Sequence, residues 1–366
     1  MKFNIFQFYF FLLPAVLIVF LGISIFMSQP PQSIVIEAGP KAGFFASTAN
    51  FLKSSLKKYD IDATVIYKHD TTNIISRVND VSSGSHIGFS AQDLGDQELK
   101  NLHSLGAVIL EPLLFFTRSD SNINNLSDFA GKHIALGPPK SGARILAAEI
   151  LKNYKITTET ADISPLQMHE AIDALKAGDV DVITFLLPVE TEIVDKLSKN
   201  KNFKAVQLDR AEAIRMHYKY LDAVNIPQAT FSLIDDLPRK DISTVALPVS
   251  LVIKKDFSSS LEVIIAYELM KNFKHETILT KKNSMPKNYF DNIPMSKQVE
   301  NLYENGLPLF LHHIPLKISL IILSLIPKLS VMVMIYFILG MFVWYTDIYF
   351  NLDDTFSRYK AKKNST

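Results

Sequence analysis

Two kinds of hydrophobic pattern alternate along this chain. Long apolar runs lie near its ends, and short β-rich runs alternate with stretches of helical period between them. After Lys2 no charged residue occurs until Glu37. The apolar heart, Phe8 to Met27, reads FYFFLLPAVLIVFLGISIFM, 20 residues, or ~30 Å of helix, the thickness of a bilayer's hydrocarbon core. A cleaved signal peptide carries a shorter apolar stretch of roughly 7–15 residues and a small-x-small cleavage site. The pattern therefore predicts an uncleaved anchor over residues 1–32. Toward the other end, Leu329 to Thr346 is uncharged over 18 residues, and Trp344, Tyr345 and Tyr349 follow where an aromatic belt would sit. This predicts a transmembrane helix over 329–348, the alternative being a buried core helix. Before it the stretch LPLFLHHIPLKISLIILSLIP is apolar but interrupted by Pro315, Lys317, Pro327 and Lys328, and 301–328 reads as an amphipathic, interfacial or re-entrant segment. Residues 349–366, with Arg358, Lys360, Lys362 and Lys363, form a basic tail. Basic residues favour the cytoplasmic side, so both tails are expected there and the middle domain on the far side.

The middle predicts an α/β fold in two lobes. Ser33–Ala38 (SIVIEA), Ala63–His69 (ATVIYKH) and His86–Ser90 (HIGFS) read as strands, with helical period from Thr48 to Lys58 and from about Thr72. Such alternation argues for βαβ units and a mostly parallel sheet. Pro112–Arg118 reads as a crossing strand. A second set follows: strand Lys132–Leu136, helix Ala143–Asn153, helix Met168–Ala177, and strands Val180–Leu187 and Phe203–Leu208. Strand Thr244–Lys254 and helix Leu261–Phe273 come last. We assign 33–118 to the first part of lobe I, 119–243 to lobe II and 244–300 to a return into lobe I. A cleft between such lobes is the default ligand site.

Composition narrows the chemistry. In 366 residues there are 38 basic and 37 acidic side chains, a net charge of +1 that gives no pull toward nucleic acid. With no cysteine, disulfides, thiolate metal sites and cysteine nucleophiles are excluded. None of the nine histidines stands at i, i+4 to another or in a zinc pattern, so no metal and no cofactor is expected. Ser54-Ser55-Leu56-Lys57 matches Ser-x-x-Lys without its partner motifs and reads as an exposed helix face. Asp235-Asp236 reads as a solvated turn. No catalytic residue is proposed.

Three βα turns place small or polar residues where a helix begins: Gly39 to Phe45, Asp70 to Asn73, and Gly137 to Arg144. Free N–H groups and the positive dipole end make a helix N-terminus an anion site, and in open α/β sheets ligands lie beyond the strands' carboxyl ends. Converging N-termini would favour a small carboxylate; ordinary capping by Thr72 and Ser141 is the plainer explanation. Arg144, a cation in a first helical turn, opposes the dipole and wants an anion beside it or a surface acid. The third turn has the Gly-x4-Gly spacing of a phosphate loop. Ala143-Arg144 replaces Lys-Ser/Thr, however, and Pro138 and Pro139 remove two donors, so nucleoside triphosphate binding is rejected.

Gly131-Lys132-His133-Ile134-Ala135-Leu136-Gly137-Pro138-Pro139-Lys140-Ser141-Gly142, with GFF at 43–45, Asn73, SAQD at 90–93 and ALKAGDVD at 174–181, resembles the TAXI family of extracytoplasmic solute receptors. These serve TRAP-type transporters and share the type II periplasmic binding-protein fold. Asn301 to Pro315 resembles the subgroup with a C-terminal membrane segment. The resemblance covers about residues 34–346. It implies a receptor at the bacterial inner membrane that closes two lobes on a small organic acid or amino acid. Its partners would be TRAP-type membrane subunits, or another envelope membrane protein, and the lipid bilayer. Carried over, the implied ligand contacts are Gly43, Phe44, Phe45, Asn73, Asp93, Ser141, Gly142, Ala143, Arg144 and Pro188. The chain departs from the family's pattern where Phe44 or Phe45 replaces a tyrosine, His69-Asp70 a Gly-Ser, Ala91 a glutamine, Ala143 a threonine and Leu187 a glycine.

Two classes compete with transport. A sensor or scaffold would use the same lobes to signal through the C-terminal helix. An enzyme would need a nucleophile or an acid–base pair in the cleft, and the sequence supplies none.

Overall fold

The computed structural model describes residues 15–16, 18–23, 26, 30–41, 43–68, 70–91, 99–290, 292–308 and 313–363. The chain divides into two compact units, Pro31–Gly306 and the segments on either side of it. In the first unit the order is β1 (Ser33–Ala38), α1 (Phe44–Leu56), β2 (Asp62–Tyr67), α2 (Ile74–Asn79), β3 (Ile87–Ser90), then β4 (Leu102–Arg118). There follow β5 (His133–Ala135), α3 (Gly142–Asn153), β6 (Asp162–Ser164), α4 (Met168–Ala177), β7 (Val182–Leu186), α5 (Glu192–Lys199), β8 (Phe203–Ala205), α6 (Ala211–His217) and β9 (Asp222–Ile226). The unit ends with β10 (Ile242–Lys254), α7 (Ser259–Phe273) and α8 (Lys297–Asn305).

The strands lie in the order β2-β1-β3-β10-β4-β7-β5-β6, with β8 on β4 and β9 on β10. β1, β2 and β3 run parallel in lobe I, and β5, β6 and β7 run parallel in lobe II. This is the two-lobed α/β arrangement of periplasmic binding proteins. Sequence sets the layers: β7, VITFL, is buried at every position and lies between neighbours inside the sheet, whereas edge strand β2 alternates. Helix α4 shows how an element closes. Gln167 and Glu170 form a capping box, Ala171 and Leu175 face the core, and Gly178 ends the helix at φ 86°.

Two long strands pass through both lobes. β4 pairs with β10 from Leu102↔Lys254 to Pro112↔Ala246, then with β7 from Leu113↔Leu186 to Thr117↔Val182. On its other edge β10 pairs with β3 over Ser250–Ile253 and with β9 over Ile242–Ala246. The changeover is where proline is tolerated. Pro112 and Pro248 sit here, and the register shifts at Val249/Ser250 and Leu251/Val252. Lobe II holds two core layers on opposite faces of its sheet. Leu113, Phe115, Val182 and the α3 residues Ala147 and Ile150 form one; Leu114, Phe116, Ile183 and the α4 residues Ala171 and Leu175 form the other.

Lobe I buries two acids of α7, each with a partner. Glu268 accepts from Tyr59 at 2.6 Å and from Lys58 at 2.8 Å, and Glu262 Oε1 lies 2.8 Å from His103 Nδ1. Burial and the Glu268 carboxylate push the Tyr59 hydroxyl above its ordinary range.

In the second unit, helix α9 spans Leu316–Lys363, and its stretch Leu316–Phe342 is long and apolar enough to cross a membrane. Leu316 and Leu320 at its start are buried, and many large apolar side chains farther along it, Val331, Phe337 and Met341 among them, are exposed. The boundary expected at residues 328/329 lies inside this one helix, which continues past Pro327. Of the expected anchor over 1–32, residues 15–16, 18–23 and 26 are described and helical. Ile18 and Leu21 share an apolar hollow with Leu329, Met332, Val333 and Tyr336 of α9.

Candidate functional site

The parallel strands of both lobes end at βα turns, and these turns carry the residues singled out by sequence. In lobe I the first turn runs from Gly39 to Gly43. Gly43 N–H donates to the Pro40 carbonyl at 2.9 Å, and Gly43 caps α1 without a side-chain bond. A Cβ on Gly39 would lie 3.2 Å from Thr71 Cγ2 and 3.4 Å from Phe45 Cδ2, so the first and second turns meet here. Phe45 is buried and stacks on Phe89, with ring centroids 5.1 Å apart. Phe44 packs edge-on to Phe273 of α7 at 6.1 Å. Both rings thus have protein partners.

The second turn is knotted by Asp70. Its carboxylate accepts from Thr72 Oγ1 at 2.7 Å, Thr72 N–H at 3.2 Å and Asn73 Nδ2 at 2.7 Å. Those bonds, with the Arg77 charge, pull the Asp70 carboxyl down to about 2. Arg77 also donates to the Asp70 carbonyl at 3.0 Å and pairs with Glu37, which is buried and accepts from Ser85 Oγ at 2.9 Å. Asn73 is the N-cap residue of α2, with its amide held by Asp70. Asp93 and its neighbour Gln92 lie outside the described residues.

In lobe II the third turn carries Ser141 as the N-cap of α3, its Oγ accepting from Arg144 N–H at 3.3 Å. Gly137 at φ 90° and Lys140 at φ 64° give the turn its shape. Arg144 finds backbone instead of an anion: Nη1 donates to the Gly137 carbonyl at 3.1 Å and to the Ser164 carbonyl at 3.4 Å. The cation that opposed the helix dipole therefore ties its own turn to the end of β6. A Cβ on Gly142 would lie 3.6 Å from the Ala91 carbonyl, so the end of β3 in lobe I touches the start of α3 in lobe II. Ala143 and Ala91 both pack against the α3-side core of lobe II. A fourth turn, residues 187–191, joins β7 to α5; Pro188 is buried in it, its carbonyl accepting from Thr191.

A cavity of about 130 Å³ opens between the third and fourth turns. Gly137, Ser141 and Ala143 line it on one side and Leu166, Met168 and Leu187 on the other. It is small against the ~300–1,000 Å³ of common ligand pockets. Buried Ser164 Oγ, at the end of β6 beside this turn, has no hydrogen-bond partner among the described residues.

Sequence reasoning passed over Glu111. It is the last residue but one of β4 to pair with β10, opposite Leu247, before the strand passes over to β7. Register puts its side chain on the face of Leu113, Val245 and Leu247. It is 5% exposed and has no hydrogen-bond partner among the described residues. Burial alone pushes its carboxyl up to about 8. The available signal was a lone glutamate inside the otherwise apolar run AVILEPLLFF.

Two lobes joined by two crossing strands, with the end of β3 in lobe I against the start of α3 in lobe II, define a periplasmic-binding-protein-like domain. The chain belongs to the NMT1-like family, whose model matches residues 91–299. No curated protein matches it. Among solved structures it is similar to an ancestral arginine-binding protein bound to arginine (13% identity, 66% of this chain and 93% of that one, TM-score 0.41). It is also similar to the BenM effector-binding domain with its effector benzoate (11%, 70% and 98%, TM-score 0.45). A third is XAC2383 from Xanthomonas citri bound to ATP (12%, 79% and 97%, TM-score 0.45). These likenesses are remote, and the molecules bound belong to those proteins.

Proposed function

We propose that this chain is a membrane-tethered, extracytoplasmic solute-binding protein of the TAXI type, whose cleft closes on a small amino-acid-like ligand for TRAP-type membrane subunits. One observation carries the choice of ligand: a buried carboxyl, Glu111, without a hydrogen-bond partner among the described residues, on a strand shared by the lobes and on the face of the lobe II core where α3 begins. The α3 N-terminus with Ser141 would take the ligand's carboxylate, and Glu111 would take its ammonium. An ammonium beside Glu111 would draw its proton off and form a charge-assisted bond. Gly43, Phe44, Phe45, Asn73, Gly142, Ala143 and Pro188 would shape the walls; Asp93 belongs to the same proposal by its place after β3, and Arg144 would brace the third turn. Residues 1–32 and the apolar part of α9 would be the two membrane spans, with the lobes on the periplasmic side of the bacterial inner membrane and both termini in the cytoplasm.

Full-length protein titrated with a panel of amino acids and dicarboxylates by calorimetry tests the reading. An amino acid should bind, and Glu111→Gln and Ser141→Trp should each weaken it at least tenfold. A panel without a binder, or affinity unchanged in both variants, refutes it. The smallness of the 130 Å³ cavity and the internal partners of Phe44, Phe45 and Asn73 favour a second reading, a ligand-sensing or scaffold protein of the envelope on the same fold.

A further inference from the structure

A larger cavity lies at the opposite end of lobe II. The cleft turns follow the carboxyl ends of β5 and β7, where Leu186 pairs with Leu113 of β4. Antiparallel β4 then runs away from the cleft, and Phe116 and Arg118 pair with Ala205 and Phe203 of β8. Around this far end sits a pocket of about 310 Å³, inside the range of small-molecule sites.

Its lining divides into a floor and a rim. The floor is apolar: Phe116, Phe203, Leu237 and Ile242, all continuous with or next to the α4-side core. The rim is cationic: Lys201, Lys204, Arg239 and Lys240, with no acidic side chain lining the pocket. Lys201 pairs with Asp235 at 2.7 Å, a residue that does not line the pocket. Lys204 reaches the neutral acceptors Ser121 carbonyl at 2.8 Å and Asn124 Oδ1 at 3.2 Å. Arg239 and Lys240 have no ion-pair partner among the described residues. Lys204 also feels the Asp128 carboxylate, which leaves Arg239 and Lys240 as the cations that turn a positive potential on the concavity.

We propose that this pocket is a second binding site, distinct from the cleft, for a small amphiphilic anion: its apolar body on Phe116, Phe203, Leu237 and Ile242, its anionic head between Arg239, Lys240 and Lys204. The division of the lining selects for both parts together. A bare anion gains nothing from the floor, and a neutral hydrocarbon gains nothing from the rim.

The full-length chain is titrated by calorimetry with naphthalene-2-sulfonate, its neutral parent naphthalene-2-methanol, and inorganic sulfate. Naphthalene-2-sulfonate should bind, with the neutral compound and sulfate at least tenfold weaker. Arg239→Gln/Lys240→Gln alters two exposed side chains and leaves the fold intact, which an unchanged thermal midpoint checks; it should weaken the sulfonate at least tenfold. Ser141→Trp, which fills the cleft cavity, should leave the sulfonate's affinity as in the parent. Absence of sulfonate binding, equal binding of the neutral compound, or an affinity untouched by the double substitution but lost in Ser141→Trp would each overturn the proposal.

Discussion

Single residues in this protein act through what they leave behind when removed. Arg77 is partly exposed, but Glu37 beneath it is not. Arg77→Met strands a buried carboxylate and should cost about 3–5 kcal/mol in denaturant unfolding. Adding Glu37→Gln should recover part of that loss, which a double-mutant cycle will read. Ser141 is the one described side-chain cap on α3, and Ser141→Ala should cost ~1 kcal/mol. Glu111 behaves in the opposite way from a paired acid. Its folded pKa lies near 8, above the ~4.3 of a free glutamate, so between those values the folded state holds a proton that the unfolded state has released. Stability then falls as pH rises through that window, by up to ~1.4 kcal/mol per pH unit. Glu111→Gln should flatten the slope in melts at pH 5, 6, 7 and 8; an unchanged slope means another group titrates there.

At the scale of elements, close packing sets where the turns stand. A Cβ on Gly88 of β3 would come within 2.6 Å of Ile74 Cγ2 and 2.7 Å of Val78 Cγ2. The glycine therefore lets α2 lie directly on the sheet. Gly88→Ala should lift α2, destabilise the domain by about 1–3 kcal/mol, and weaken ligand binding through the displaced Asn73 turn, seen as paired shifts in thermal midpoint and affinity. Much of this level was legible in sequence. β1 and α4 fall on their expected bounds because their ends are marked locally, by Ser33 after a proline pair and by Gln167, Glu170 and Gly178. β4 was read as beginning at Pro112, yet it starts at Leu102. The residues before the proline carry a histidine, a serine and a glycine, and become a strand by pairing with β10, a partner over a hundred residues away. The short strands β6 and β9 likewise form only by pairing, with β5 and β10. The same limit hid parts of the candidate site. Local chemistry marked Ser141 as a cap, but no spacing could say that Arg144 would reach Ser164, or that Glu111 would be buried alone.

For the whole molecule, the division at residues 31 and 306 has a direct consequence. A fragment spanning 31–306 holds every described strand and both lobes, and should unfold cooperatively in water without detergent. Its thermal midpoint should lie close to that of the same unit in the full chain. A fragment that aggregates or melts far below the full chain would show that the lobes need the helices on either side.

The paired strands β4 and β10 make the lobes' connection a beam instead of a joint. Nine residue pairs hold the two strands together from Lys254↔Leu102 to Ala246↔Pro112, so lobe movement must be shared out as a small twist at each rung. A beam of this kind stores work and returns it. Its stiffness becomes part of the affinity of anything the cleft grips, and the two irregular rungs beside Ser250 set that stiffness. The release rate of a ligand would then be tuned by residues that never touch it, as the pitch of a string is tuned at its peg.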